Sequence, residues 1–395
     1  MNKLPTLGQL SSRLGYIDAQ RGIAALLVLW LHATEVFMQL PEAPSGAWLF
    51  DFAWAIDTGR VGVVLFFAIS GFVIPSSLGA QTNQTTQQTL KAFLIHRFFR
   101  LYPVYWVSVL ASGIFGFYVL TPFSWQTVLL NLTMIQSLLG APDIMGLYWT
   151  LRIELLFYGL CVVLFMLRLL RQPHWLAVGL LASPLVFSGL ALVAYRVDPA
   201  SSGDLLNYLP VYGLYLSIMF WGALFRRWHD QVLSNEHSKF SRPLMTIFLG
   251  FPICLCLSPL LVLFAAELLP LAYSHKILKL SIPLAIGVGL FVLLSTKLKI
   301  ENKLCTWLGE ISYSMYLFHP LVFYSLFVLV RDGHLARLSG APLSVYLLLS
   351  ALGSVALSSV TYYLIEVPAI RLGRKLGTRK TMTAQETSRS TRLNS

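Results

Sequence analysis

The chain has 395 residues, of which 56% are hydrophobic and 12% charged, with a formal charge of +12 and a mean hydropathy of +0.69. A soluble domain carries roughly a quarter of its residues charged, so too few polar side chains are present to clothe a water-facing surface, and a soluble globular class is excluded. Nucleic-acid binding is excluded as well, because the basic residues lie in short runs between apolar segments and do not gather into one patch.

The apolar residues come in runs of about twenty, the length a helix needs to cross roughly 30 Å of hydrocarbon. No strand-like alternation accompanies them, so the expected fold is all-α, a polytopic bundle of about ten transmembrane helices. In chain order the expected spans are 18–38, 60–78, 99–120, 147–168, 174–195, 207–225, 244–265, 275–295, 307–330 and 343–366. The apolar stretch 124–139 is too short to cross and reads as an interfacial or re-entrant helix. With ten crossings and both termini cytoplasmic, 22 of the 29 Lys and Arg residues fall on the inner side, as the positive-inside bias requires. The expected division is a cytoplasmic segment 1–15, a transmembrane domain 16–370 and a basic, disordered cytoplasmic tail 371–395.

Ionisable groups within membrane helices are costly and are functional candidates. The first span holds Arg21 and His32, eleven residues apart. That separation returns to within about 20° of the same face and advances about 16 Å along the axis. Glu35 follows on nearly the same stripe. His32 suits a general base, since imidazole titrates near neutrality, and equally suits a hydrogen bond to a neighbouring helix. Arg21 alone fits snorkelling to the headgroups.

At the start of the third span, HRFFRLYPVYW places Arg97 and Arg100 on one face, where paired guanidiniums either grip phosphate or anchor the helix. LYWTLRIELLFYG carries Trp149, Arg152 and Glu154. Arg152 is too close in sequence to share a face with Glu154, so that carboxylate needs a partner from elsewhere, with Arg21, Arg60 or a histidine as candidates. In SYSMYLFHP, His319 precedes Pro320. The proline frees a backbone carbonyl, which the histidine can satisfy. Glu366 lies near Arg371 and Arg374, an arrangement that reads as an interfacial ion pair.

Taken in order, RGIAALLVLWLH, GVVLFFAISGFVI, RFFR, LYWTLRIELLFY, ISYSMYLFHP and IEVPAIR resemble the acyltransferase 3 family of membrane O-acyltransferases over residues 16–370. The resemblance implies transfer of an acyl group, in the simplest case acetyl, from cytoplasmic acyl-CoA to a hydroxyl of a surface or lipid-linked glycan. It implies no permanently bound cofactor, no metal, and a bacterial inner-membrane setting in contact with lipid. It makes His32 the catalytic histidine, Arg21 its motif partner, Arg97 and Arg100 the acyl-CoA-binding pair and Glu154 the carboxylate of the fourth-helix motif. Glu35, Trp149 and His319 are the supporting candidates. Direct transfer and an acyl-histidine relay both remain open. Two departures from the family pattern stand out: Val64 stands where an acidic residue is frequent, and Leu155 and Leu156 stand where a second polar residue often follows the glutamate. The competing class is a transporter or flippase for a lipid-linked or small anionic solute. No inverted repeat and no central helix broken by paired Gly or Pro is visible to support it.

Overall fold

A computed structural model describes residues 14–79, 85–119, 123–197, 203–233, 241–264 and 271–377. The expected N-terminal segment up to residue 13, the middle of the polar loop 79–90 and the tail from residue 378 lie outside the described residues. Among the described residues there is no strand. The chain is an all-α, multi-pass helical bundle.

Among the described residues, thirteen α-helices precede a final π-helical turn: α1 (Gly15–Phe37), α2 (Trp48–Ile56), α3 (Thr58–Gly79), α4 (Thr86–Val119), α5 (Trp125–Asn131), α6 (Trp149–Met166), α7 (Pro173–Val197), α8 (Gly203–Leu233), α9 (Arg242–Phe264), α10 (Leu271–Thr296), α11 (Lys303–Glu310), α12 (Ser312–Arg331) and α13 (Leu343–Thr361). Eight helices among the described residues are long and apolar enough to cross a membrane. The other two expected spans, 18–38 and 244–265, fall on α1 and α9. Helix α1 is long enough, but Asp18, Gln20, Arg21, His32 and Glu35 dilute its apolar character. The stretch 124–139 is broken into α5 and a 3-10 turn at Gln136–Leu139, with Met134 at φ 66 between them, so it does not cross.

Three features depart from the expected spans. Helix α2 occupies the middle of an expected loop and is held to α1, where the Trp30 indole donates to the Leu49 carbonyl at 3.2 Å. The expected span 307–330 is split at Ile311 into α11 and α12, with Asn302 capping α11 through the Cys305 amide at 2.7 Å. After α13 a π-helical turn, Tyr362–Glu366, leads into a helix that continues through residue 377. Residues 371–377, expected to open a disordered tail, are therefore helical. Leu372 and Leu376 alternate there with basic residues, and Gly373 and Gly377 allow close packing on α4.

The described residues form two compact units. In the first, residues 14–69 and 252–358, α1 packs on α2, α10, α11 and α12. Its core includes Leu29, Ala33, Phe37, Phe323 and Tyr346, with Phe37 and Tyr346 stacked at 4.6 Å. Helix α11 lies so close to α1 that a Cβ on Gly309 would fall 1.8 Å from the Asp18 carbonyl oxygen. In the second unit, residues 70–251 and 359–377, α7 and α8 are the most extensively packed pair. There Gly71 meets α8 backbone to backbone: a Cβ would lie 1.9 Å from the Met219 carbonyl oxygen. Glycine is required at such approaches because no side chain fits.

Candidate active site

Two groups of ionisable side chains stand out, one in each unit. In the first unit, His32 projects from α1 with its side chain 42% exposed, and its Nδ1 lies 3.2 Å from Glu35 Oε2. The i,i+3 spacing brings them together on one helix face. A carboxylate accepts, so this contact draws the imidazole proton to Nδ1 and leaves the Nε2 lone pair available as a base. The carboxylate partner of His32 is thus Glu35.

The His319 ring stacks on His32 with centroids 5.9 Å apart. His319 is buried, and its Nδ1–H donates to the carbonyls of Tyr316 at 2.8 Å and Met315 at 3.1 Å. Tyr316 is four residues before Pro320, so its carbonyl is the one that loses its helical N–H. His319 satisfies that oxygen, as the sequence suggested. The donation also fixes the ring so that Nε2 carries the lone pair, and this buried nitrogen has no protein partner. Arg21 is not brought to His32. Helix α1 is continuous between them, and eleven residues of helix separate their Cα atoms by about 16 Å.

In the second unit, Arg97 and Arg100 line a cavity of about 200 Å³ with Ser77, Thr89, Phe93, His96, Ile370 and Arg374. Arg97 donates to Ser77 Oγ at 3.2 Å, and its guanidinium lies over the rings of Phe93 and Tyr158, 5.3 Å from each centroid. Three cation-bearing arginines and a histidine face one space, and no carboxylate is among its lining residues. The arrangement suits a polyanion.

Glu154 is held by Tyr158, whose hydroxyl donates to Oε1 at 2.6 Å, and by Ser70 at 3.4 Å. Because Arg97 covers the ring of that tyrosine, Tyr158 touches both candidate residues. Arg152 pairs with Asp143 in the loop before α6, in a bidentate contact whose Nη2–Oδ2 arm is 2.9 Å. Gln136 donates to the same carboxylate. Trp149 stacks on Tyr212 at 6.1 Å and lies 5.5 Å from Tyr215, so it joins α6 to α8.

Sequence reasoning passed over Tyr158, Asp143, His96 and Arg374 as members of these groups. Tyr158 was within reach, since it follows Glu154 by one helical turn. Asp143 and Arg374 carried no local signal, because each meets its partners through a loop or across a long sequence separation. The Val64 departure has a packing explanation: Val64 is fully buried, and a Cβ on Gly287 would lie 2.6 Å from its Cγ1. Leu156 is exposed on α6, away from the Glu154 contacts.

The acyltransferase domain family, acyltransferase 3, matches residues 14–363. The chain is 24% identical to Nodulation protein 10 of Rhizobium leguminosarum bv. viciae over 388 residues, covering 92% of this chain and 95% of the relative. It is 25% identical to the peptidoglycan O-acetyltransferase OatA of Listeria monocytogenes over 335 residues, 78% of this chain and 49% of OatA, so it spans about half the length of that relative. It is 27% identical to the acyltransferase MdmB of Streptomyces mycarofaciens over 183 residues, 43% of this chain and 45% of MdmB. No solved structure matches. The match runs from the start of α1 into the π-helical turn after α13 and includes Arg21, His32, Glu35, Arg97, Arg100, Trp149, Glu154 and His319, and the chain belongs to the acyltransferase 3 family of membrane acyltransferases.

Proposed function

We propose that this protein transfers an acyl group, acetyl in the simplest case, from acyl-CoA to a hydroxyl of a surface or lipid-linked glycan. The setting proposed is a bacterial inner membrane, with both termini cytoplasmic, as the charge distribution favours. The observation that carries the reading is the oriented imidazole of His32, held through Nδ1 by Glu35 at 3.2 Å and stacked on His319. A histidine fixed in that way offers Nε2 to a hydroxyl. Family membership and the name of OatA support an O-acyl acceptor on a glycan.

In the proposed step, the acceptor hydroxyl gives its proton to His32 Nε2 while its oxygen bonds to the thioester carbonyl carbon. The tetrahedral oxyanion collapses, the C–S bond breaks, and the leaving sulfur takes the proton from the imidazolium. Glu35 sits where it favours the imidazolium that forms. Arg97 and Arg100 bind the donor through its phosphates, for which paired guanidiniums are suited. Arg21, about 16 Å along the helix from His32, acts on a different part of a substrate from the one His32 deprotonates. Glu154 and Tyr158 position Arg97, a role motivated by the contacts of both its ring and its hydroxyl.

His32→Ala is the test. The side chain is half-buried, stacks on His319, and lies outside the apolar cluster shared by α1 and α12 and outside the glycine contacts, so the variant is expected to fold and insert. Release of CoA thiol from acetyl-CoA in the presence of a glycan acceptor should fall to background at matched membrane abundance. Full activity in that variant would remove His32 from the chemistry.

A further inference from the structure

We infer that Arg374, carried by the helix that follows the π-helical turn, is a third phosphate-binding guanidinium of the donor site, set in place by the packing of Gly373 and Gly377 on α4. The inference deepens the proposed function and rests on its assignment of acyl-CoA as the donor.

Gly373 and Gly377 are one helical turn apart and lie on one face. A Cβ on Gly373 would fall 2.7 Å from Phe99 Cβ, and one on Gly377 would fall 2.7 Å from His96 Nε2. Two small residues at this spacing let one helix backbone approach another closely. Arg374 follows Gly373 directly, so this contact fixes where its side chain begins. The side chain then lines the same cavity as Arg97, Arg100 and His96.

Basic residues that only mark a membrane boundary reach outward separately toward headgroups and water. These three converge on one concavity, from positions 97, 100 and 374 of the chain. Guanidiniums lining one concavity present several N–H donors that a phosphate can accept from together. Ser77 and Thr89 add hydroxyl groups to the same wall, and Arg97 is already oriented by Ser77 and by two aromatic faces. At about 200 Å³ the cavity is smaller than the roughly 300 Å³ at which whole small-molecule pockets begin. It therefore takes the phosphates of a larger ligand, with the remainder lying outside. A diphosphate bearing a neighbouring monophosphate, as in CoA, matches three cations. The phosphate of an anionic lipid shares part of that chemistry.

The experiment is a titration of CoA, with pantetheine as the phosphate-free control, against the full chain in uncharged detergent. The set comprises the wild-type protein, Arg374→Gln, Arg374→Lys, Gly373→Leu and the double variant Arg97→Gln with Arg100→Gln. The expected result is at least a tenfold rise in the Kd for CoA with Arg374→Gln, a smaller rise with Arg374→Lys, and no change for pantetheine. Gly373→Leu should reproduce the Arg374→Gln result if it elutes as a monodisperse protein. Unchanged CoA affinity in Arg374→Gln, with affinity lost in the double variant, would overturn the assignment of Arg374 and leave the donor reading standing. No CoA binding by the wild-type protein would overturn both. Loss in Arg374→Gln of binding to phosphatidylglycerol nanodiscs, with CoA affinity intact, would assign the cavity to a lipid phosphate and overturn the proposal.

Discussion

Asp143 and Arg152 provide a test of whether a buried ion pair in this protein matters as a pair or through either residue alone. The two side chains are 17% and 11% exposed and meet in a bidentate contact. Asp143→Ala removes both guanidinium acceptors, and the Gln136 amide loses its carboxylate as well. Arg152 would keep only the Tyr212 hydroxyl at 3.5 Å, and its Nε has no partner to begin with. Removing one member of a buried pair costs about 3–5 kcal/mol. The residual exposure lets water reach the guanidinium, which places the expected loss at the lower end, about 3 kcal/mol. Arg152→Met leaves Asp143 with the Gln136 amide, and its expected loss is about 2 kcal/mol. The double variant leaves no stranded charge and should also lose about 2 kcal/mol.

The coupling expected from that cycle is therefore about 3 kcal/mol, or roughly two decades in the folded-to-unfolded ratio. Unfolding in mixed micelles by increasing fractions of sodium dodecyl sulfate, followed by tryptophan emission, measures it. Trp149 adds a local reporter, because it lies between Tyr212 and Tyr215 within one turn of Arg152. A double variant whose loss equals the sum of the two single losses, within about 0.5 kcal/mol, would refute the reasoning. The pair would then be two independent residues that happen to touch.

Two further outcomes are expected. Glu35→Ala should lower kcat for acetyl transfer at least about tenfold, a fraction of what a positioned base contributes, and should leave the KM for acetyl-CoA within about twofold; a progress-curve assay at saturating acceptor reads both values. Gly71→Leu should abolish the monodisperse peak in detergent chromatography, because a Cβ at 1.9 Å from the Met219 carbonyl oxygen meets backbone that cannot move aside; a well-folded variant would show that α3 and α8 can separate at little cost.

Eight of the ten expected spans were legible in the sequence because each is decided locally. Crossing hydrocarbon needs a set length of apolar helix, and α6, α7, α12 and α13 declare it without reference to any neighbour. The broken stretch 124–139 was legible for the same reason. His319 was legible because its main partner, the Tyr316 carbonyl, is freed by the adjacent Pro320 within the same helix. The short helices α2 and α11 were hidden, since each is stabilised by packing on α1 more than by its own length. Asp143 was hidden because a loop carboxylate shows no periodicity, and its contact with Arg152 depends on how Asn131 and Gln136 fold the loop.

The C-terminal end of the described chain shows most clearly why the rest was obscured. Read by composition, a segment beginning RLGRKLG is basic, contains two glycines, and looks like the start of a solvated tail. Glycine lowers intrinsic helix propensity by about 1 kcal/mol per residue, which pushes a local reading toward disorder. In the folded protein those glycines sit where the helix meets α4, and their lack of a side chain leaves room for Phe99 and His96. The same two residues are unfavourable for an isolated helix and favourable for a paired one. Only the identity of the opposing surface settles which effect wins, and that surface lies some 270 residues earlier in the chain. Arg374 follows the same logic. A topological anchor and a ligand-binding guanidinium are identical as letters, and what separates them is whether Arg97 and Arg100 face the same space.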